Sequence, residues 1–133
     1  EAKIKKLSEV KIWGSGKAMR EFLHVNDLAK ACLHTMNLPK LRYDQVVTSM
    51  RGHLNVGSGE EVSIKDLAKL ISEIVEYEGK LQFDDSKPDG SPRKLIDSSR
   101  LVSTGWESSI SLREGLASTY KEFQSREFKM REL

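Results

Sequence analysis

"WGSGKAMREFLHVND", residues 13–27, decides how this chain is read. It brings Trp13, the Gly14-Ser15-Gly16 turn, Arg20 and His24 together and ends on residues suited to cap a helix. Two readings follow. In the first, the runs Val10–Trp13 and Arg20–Val25 are strands that pair as a hairpin, and Trp13 and Arg20 lie at one sheet edge. The planar guanidinium fork then suits a phosphate through paired, charge-assisted hydrogen bonds, and the indole is free to stack on a sugar or base. In the second, Trp13 is core and Arg20 pairs with Glu21 or Asp27. Spacing alone leaves both open.

Upstream, Ile4, Leu7 and Val10 recur at a spacing of three, like the tail of a helix, and the chain opens without Met. Both suggest a piece of something longer. Downstream, Asn26 or Asp27 caps a helix to about Met36 with Leu28, Cys32 and Met36 as its apolar stripe. Residues 39–52 lack a clear period and read as loop. "HLNVGSG" (53–59) is a short strand with a second Gly-Ser-Gly turn. Ser63 and Asp66 form a capping-box start. Beyond it, Ile64, Leu67, Ile71, Ile74 and Val75 mark one face of an amphipathic helix that stops before Gly79. "KLQFD" (80–84) is a strand, and "SKPDGSPRK" (86–94), with two prolines and a glycine, is an ordered turn. Asp97 caps a short helix ending at Gly105. Ser111 and Glu114 form another capping box, opening a helix with Leu112, Leu116, Tyr120 and Phe123 inward. A charged tail from about Gln124 is expected to fray.

The result is a single α/β unit over 1–133 in which short strands alternate with amphipathic helices. Net charge is only +2 with both signs interspersed, which excludes the basic stripe of a nucleic-acid binder. No apolar run approaches a membrane span and the first residues have no signal-peptide core, so no membrane partner and a cytoplasmic location are expected. Cys32 is the single cysteine, which rules out an internal disulfide.

Several chemistries are struck out. There is no G-x-G-x-x-G: Met19 stands three after Gly16, and Val62 three after Gly59. The Walker pattern is missing. His24, His34 and His53 share no ligand spacing with Cys32, so no metal is expected. No tyrosine has a lysine four residues later, so the pair that many nicotinamide reductases use as proton donor is missing. No catalytic residue is assigned. The loop "KPDGSPRK" offers Lys87, Arg93 and Lys94 on a turn-rich frame, which reads either as an anion nest or as a solvated turn in which Asp89 satisfies its own loop. His24 reads as a satisfied histidine rather than a catalyst.

"WGSGKAMREFLHVNDLAKA", "HLNVGSGEEVSIKDLAKLISEIV" and "FDDSKPDGSPRKLIDSSRLVSTGWESSISLREGLASTY" resemble the C-terminal, substrate-binding part of the GDP-L-fucose synthase family. These are extended short-chain dehydrogenases/reductases. The resemblance runs from about Val10 to Phe123. Its R-E-F-L-H-V-x-D and N-V-G-S-G pieces are shared across the superfamily; "WGSGxxMREFLHV" with "KPDGxPRKLxD" is more particular. The resemblance implies an NADP-dependent enzyme that epimerises and reduces GDP-4-keto-6-deoxy-mannose to GDP-L-fucose. It implies that the cofactor is bound by a Rossmann domain missing here, that this chain alone is inactive, and that the whole enzyme is a homodimer. By motif, Trp13 and Arg20 match the family's substrate contacts, with Arg20 near the GDP diphosphate. Lys80 stands where a basic substrate contact occurs, without an arginine's fork. Asp89 and Lys94 belong to a matching loop. Lys17-Ala18 replaces a more usual Thr-Pro, which bears on the stiffness of the Trp13–Arg20 connection. Other readings are another nucleotide-sugar epimerase or dehydratase, or a non-enzymatic binding module.

Overall fold

The computed structural model describes residues 1–125. Its elements are β1 (Glu9–Trp13), β2 (Met19–Glu21), α1 (Val25–Asn37), α2 (Lys40–Val46), β3 (Glu61–Ser63), α3 (Ile64–Ile74), β4 (Lys80–Asp84), β5 (Arg93–Lys94), α4 (Ser99–Val102) and α5 (Leu112–Ser125). The α/β mixture of short strands and helices is as expected.

The expected hairpin does not form. β1 pairs in parallel with β4, Glu9 against Lys80 through Trp13 against Asp84. β2 lies in a separate sheet, antiparallel to β3 and parallel to β5. The second strand is also shorter than its alternation suggested. It stops at Glu21, because the Glu21 carboxylate turns to the N–H groups of Gly59 (2.7 Å) and Ile96 (3.1 Å) and ties three segments together. His24, not Asn26 or Asp27, then caps α1: its Nδ1 accepts from the Asn26 N–H at 3.2 Å.

α1 faces the opposite way from the expected stripe. Asp27 and Ala31 are fully buried, while Val25, Leu28, Cys32 and Met36 are exposed. The cause is the Asp27 carboxylate, which accepts from the N–H groups of Ser109 (2.9 Å) and Ile110 (2.8 Å) and from the Ser109 hydroxyl (2.8 Å). Those bonds turn the polar edge of α1 inward. Ala31 then packs with Leu101 and Trp106, flanked by Leu23, Leu54 and Val56.

Residues 53–58 carry no ladder among the described residues, although they alternate like a strand. α2 occupies part of the stretch expected to be loop. Pro39 starts it, with Arg42 and Tyr43 N–H donating to the Pro39 carbonyl, but it buries no side chain, so no hydrophobic period marks it.

The capping boxes form as read. The Ser63 hydroxyl accepts from Asp66 N–H at 3.0 Å. Ser111 and Glu114 exchange bonds, Glu114 N–H to Ser111 Oγ at 3.3 Å and Ser111 N–H to Glu114 Oε2 at 3.1 Å. α5 lies against α3 with Leu112, Leu116 and Tyr120 partly buried, whereas Phe123 is half exposed. α5 continues to Ser125, past the point where fraying was expected; the remainder of that tail lies outside the described residues.

α3 ends before Gly79, but not through a glycine. Tyr77 N–H donates to Ser72 O and Glu76 N–H to Glu73 O, with Glu76 at φ 54°. This is a Schellman closure with glutamate in the left-handed position. Residues 1–7 repeat it: Leu7 N–H donates to Ala2 O, Lys6 N–H to Lys3 O, and Lys6 has φ 51°. The helix-tail reading of Ile4 and Leu7 thus has its counterpart in a closed turn. The two closures touch through the Tyr77 hydroxyl, which donates to Leu7 O at 3.0 Å, and each feeds one strand of the β1–β4 pair.

Candidate functional site

The loop after β4 runs beside the connection from β1 to β2, and alternate residues fasten it there. Lys87 stands over the Trp13 ring, its ammonium 5.9 Å from the centroid. Asp89 accepts from Ser15 N–H at 2.8 Å and from the Ser15 hydroxyl at 2.6 Å. The Ser91 carbonyl accepts from Arg20 NH1 at 2.8 Å, and the same nitrogen donates to Met19 O at 2.6 Å. The loop is thus held along that connection by two side chains, Lys87 and Asp89, and one backbone carbonyl, that of Ser91.

Gly14 and Gly16 make the close approach possible. Both have positive φ, and a Cβ on Gly14 would lie 2.3 Å from Asp89 Oδ1, one on Gly16 2.6 Å from the Phe83 ring. Asp89 thus serves the facing loop rather than its own. The Ser15 hydroxyl and N–H, with Lys17 nearby, hold its carboxyl below the usual range.

At the far end of this fastening, Arg20 and Lys94 are Cα partners in the parallel β2–β5 ladder, so both side chains leave the same face. Arg20 does not pair with Glu21 or Asp27, which are engaged elsewhere. Neither Arg20 nor Lys94 has an ion-pair partner among the described residues. On the opposite face Arg93 is held by Glu61, its Nε 2.9 and 2.8 Å from the two carboxylate oxygens. The strand alternation therefore separates a neutralised cation from two unneutralised ones.

Trp13 is not core: it is 75% exposed at the end of β1, whereas Trp106 is buried. Lys80 lies at the other end of the β1–β4 ladder, four residues and about 13 Å from the Trp13–Asp84 pair. The structure gathers Trp13, Arg20, Asp89 and Lys94 around one loop and leaves Lys80 apart. Sequence reasoning missed the placing of Lys87, Ser15 and Ser91. No spacing marks them, because Lys87 leaves a turn closed by its N–H on Asp84 O (3.1 Å) and Ser91 acts through its backbone carbonyl.

A cleft of about 320 Å³ lies between β3 and the start of α5, lined by Phe22, Glu60, Glu61, Val62, several serines, Ile110 and Leu112. It has two carboxylates and no cation on its walls, so it does not suit an anion. Among the described residues no group of side chains could hold a metal ion, and no helix is long and apolar enough to cross a membrane.

Residues 1–57 match the NAD dependent epimerase/dehydratase family. The chain is 51% identical over 90% of its length to GDP-L-fucose synthase 1 of Arabidopsis thaliana, covering 34% of that protein. It is 48% identical over 92% of its length to GDP-L-fucose synthase of Escherichia coli (strain K12), covering 38% of it. The likeness is to GDP-L-fucose synthases. The chain spans about a third of the length of these curated relatives. Among solved structures it is similar to the GDP-mannoheptose C4 reductase of Campylobacter jejuni, determined with NADP bound, at TM-score 0.74 and 36% identity over 88% of this chain and 35% of that one. The fold is thus that of one part of a nucleotide-sugar epimerase or reductase of the short-chain dehydrogenase/reductase type.

Proposed function

We propose that this chain is the GDP-sugar-binding part of a GDP-L-fucose synthase. The whole enzyme would epimerise and reduce GDP-4-keto-6-deoxy-mannose to GDP-L-fucose. The observation that carries this reading is the pair Arg20 and Lys94, side by side on one sheet face without a carboxylate partner. Two adjacent cations repel each other, and a diphosphate relieves that repulsion. The guanidinium contributes a planar fork and the ammonium a point charge. NH1 of Arg20 is occupied by two carbonyls, which orients the group and leaves its other nitrogens to donate to a ligand. Trp13 forms the rim, and Asp89 holds the loop in place from below. Lys80 would meet only the far end of a ligand laid along the β1–β4 ladder.

NADP would be held by another part of the protein, of Rossmann type. The residues here do not fit the cofactor: the open faces of Gly14 and Gly16, where a pyrophosphate would approach, are taken by Asp89 and Phe83. With no cofactor seat and no tyrosine–lysine pair, the isolated chain would not turn over. The exposed apolar side of α1 and the unpaired 53–58 segment support a surface that takes the Rossmann part. A homodimeric, cytoplasmic enzyme completes the reading. A second reading, a reductase of GDP-linked heptoses, draws on the 36% identity to the Campylobacter jejuni protein, and would use the same diphosphate seat.

Arg20→Ala should weaken GDP binding by about 1.5–3 kcal/mol, and Arg20→Lys should restore only part of it. Titration of the chain with GDP, followed by nuclear magnetic resonance, reads this directly. Unchanged affinity in Arg20→Ala would sink the proposal.

A further inference from the structure

Gly90 lies between two residues that fasten the loop, Asp89 on Ser15 and Ser91 on Arg20. Unlike Gly14 and Gly16 it has no positive φ, so its backbone does not call for glycine. What a side chain there would meet is the guanidinium. A Cβ on Gly90 would stand 3.1 Å from Arg20 Nη2 and, chain neighbours aside, within 4 Å of no other heavy atom of the described residues. Gly57 and Gly79 also lie against side chains, but against ones the fold itself engages. Those are the Glu21 carboxylate, bound to the N–H groups of Gly59 and Ile96, and the Tyr77 hydroxyl, bound to Leu7 O. Arg20 Nη2 donates to no group among the described residues, since both hydrogen bonds of the guanidinium leave from Nη1. Glycine at position 90 thus leaves open a nitrogen that the fold does not use.

We propose that Gly90 is a positioning residue of the diphosphate seat: by lacking a side chain it keeps Arg20 Nη2 open to a phosphate oxygen. This rests on the reading of Arg20 and Lys94 given above and specifies which nitrogen of the guanidinium takes the ligand. A phosphate oxygen accepts from such a nitrogen at about 2.7–2.9 Å. A methyl carbon at 3.1 Å stands in nearly the same shell and is tighter than an ordinary van der Waals contact. Either the methyl or the guanidinium must then give way. Arg20 is not free to do so, because Nη1 is tied to the carbonyls of Met19 and of Ser91, the residue after Gly90. The carboxylate of Asp89, the residue before it, is bound to Ser15 rather than to Arg20. The ligand class is a nucleoside diphosphate, and the recognised feature is a diphosphate oxygen rather than the base.

The test is a double-variant cycle on the 133-residue chain with two ligands, GDP and inorganic diphosphate, titrated by nuclear magnetic resonance. Gly90→Ala should weaken both ligands by one common factor of roughly fivefold. Urea unfolding of the same variant should show stability equal to or above that of the parent, because alanine suits this backbone and restricts the unfolded chain. In the Arg20→Ala background Gly90→Ala should have no further effect on either ligand. Unchanged affinity in Gly90→Ala overturns the proposal, and so does an equal loss with and without Arg20. A destabilised Gly90→Ala chain would put the role of the glycine in the backbone and overturn it too. If GDP weakens while inorganic diphosphate does not, the methyl meets the base or sugar and the proposal is again overturned. Arg20→Ala alone separates the two levels. Should it weaken both ligands while Gly90→Ala weakens neither, the seat stands and the role of Gly90 falls. Should it change neither, the seat and this proposal fall together.

Discussion

Asp27 shows how one buried charge orients an element. Burial opposes its ionisation, but the N–H of Ile110, the hydroxyl and N–H of Ser109, and Lys30 outweigh it and hold the carboxyl down to about 2. Its folded pKa thus lies below the unfolded value of 3.8, so its stabilisation is complete above about pH 4 and is lost as pH falls through 2. That difference corresponds to about 2 kcal/mol. Asp27→Asn should cost about 2–4 kcal/mol, because the amide turns donors toward donors. It should also flatten the decline of stability between pH 4 and pH 2, read by urea unfolding at several pH values. An unchanged acid limb in the variant would show that other carboxylates set it. The sequence marks Asp27 as a cap candidate, since Asp before an apolar run usually is one. That it is buried follows from a partner loop more than eighty residues away, which no local window contains. Trp13 and Trp106 make the same point in reverse: identical side chains, one exposed and one core, distinguished only by what the fold brings against them.

Among elements, those with strong local physics were legible. The two Ser-led capping boxes, the amphipathic face of α3 and the alternating strand β4 follow from residue type and spacing within one segment. The failures are of pairing and of size. β3 and β5 have three and two residues, too short to show a period, and exist because β2 offers both edges. Parallel pairing of β1 with β4 depends on the intervening chain returning to the same end, which alternation cannot encode. The end of α3 was placed correctly for the wrong reason. Gly79 does not close it; Glu76 does, in a left-handed conformation that costs a side-chain-bearing residue about 1 kcal/mol. Its ion pair with Lys3 is largely exposed and offsets little of that. Glu76→Gly should therefore stabilise the chain by about 0.5–1 kcal/mol in urea unfolding. A loss of stability would mean that the Lys3 contact matters more than the backbone strain.

At the scale of the whole molecule, the candidate site belongs to no single element. β1 supplies Trp13, β2 Arg20 and β5 Lys94, and the loop between β4 and β5 fastens them. Sequence reasoning reached Trp13, Arg20, Asp89 and Lys94 through motif resemblance, whereas residue spacing by itself left a core tryptophan and an ion-paired arginine open. The geometry decides against that bland alternative, since Trp13 is exposed and Arg20 has no carboxylate partner among the described residues. The central claim is that this unit offers a diphosphate seat at Arg20 and Lys94 and no separate seat for a nicotinamide cofactor. One measurement addresses it directly: a resonance-by-resonance titration of the isolated chain with GDP and, separately, with NADPH. The account predicts saturable shifts with GDP, confined to the Trp13 indole, Arg20, the 86–94 loop and Lys94, and none with NADPH beyond what its diphosphate produces at that same seat. Shifts centred on the cleft beside the start of α5, or none with GDP at all, would contradict it.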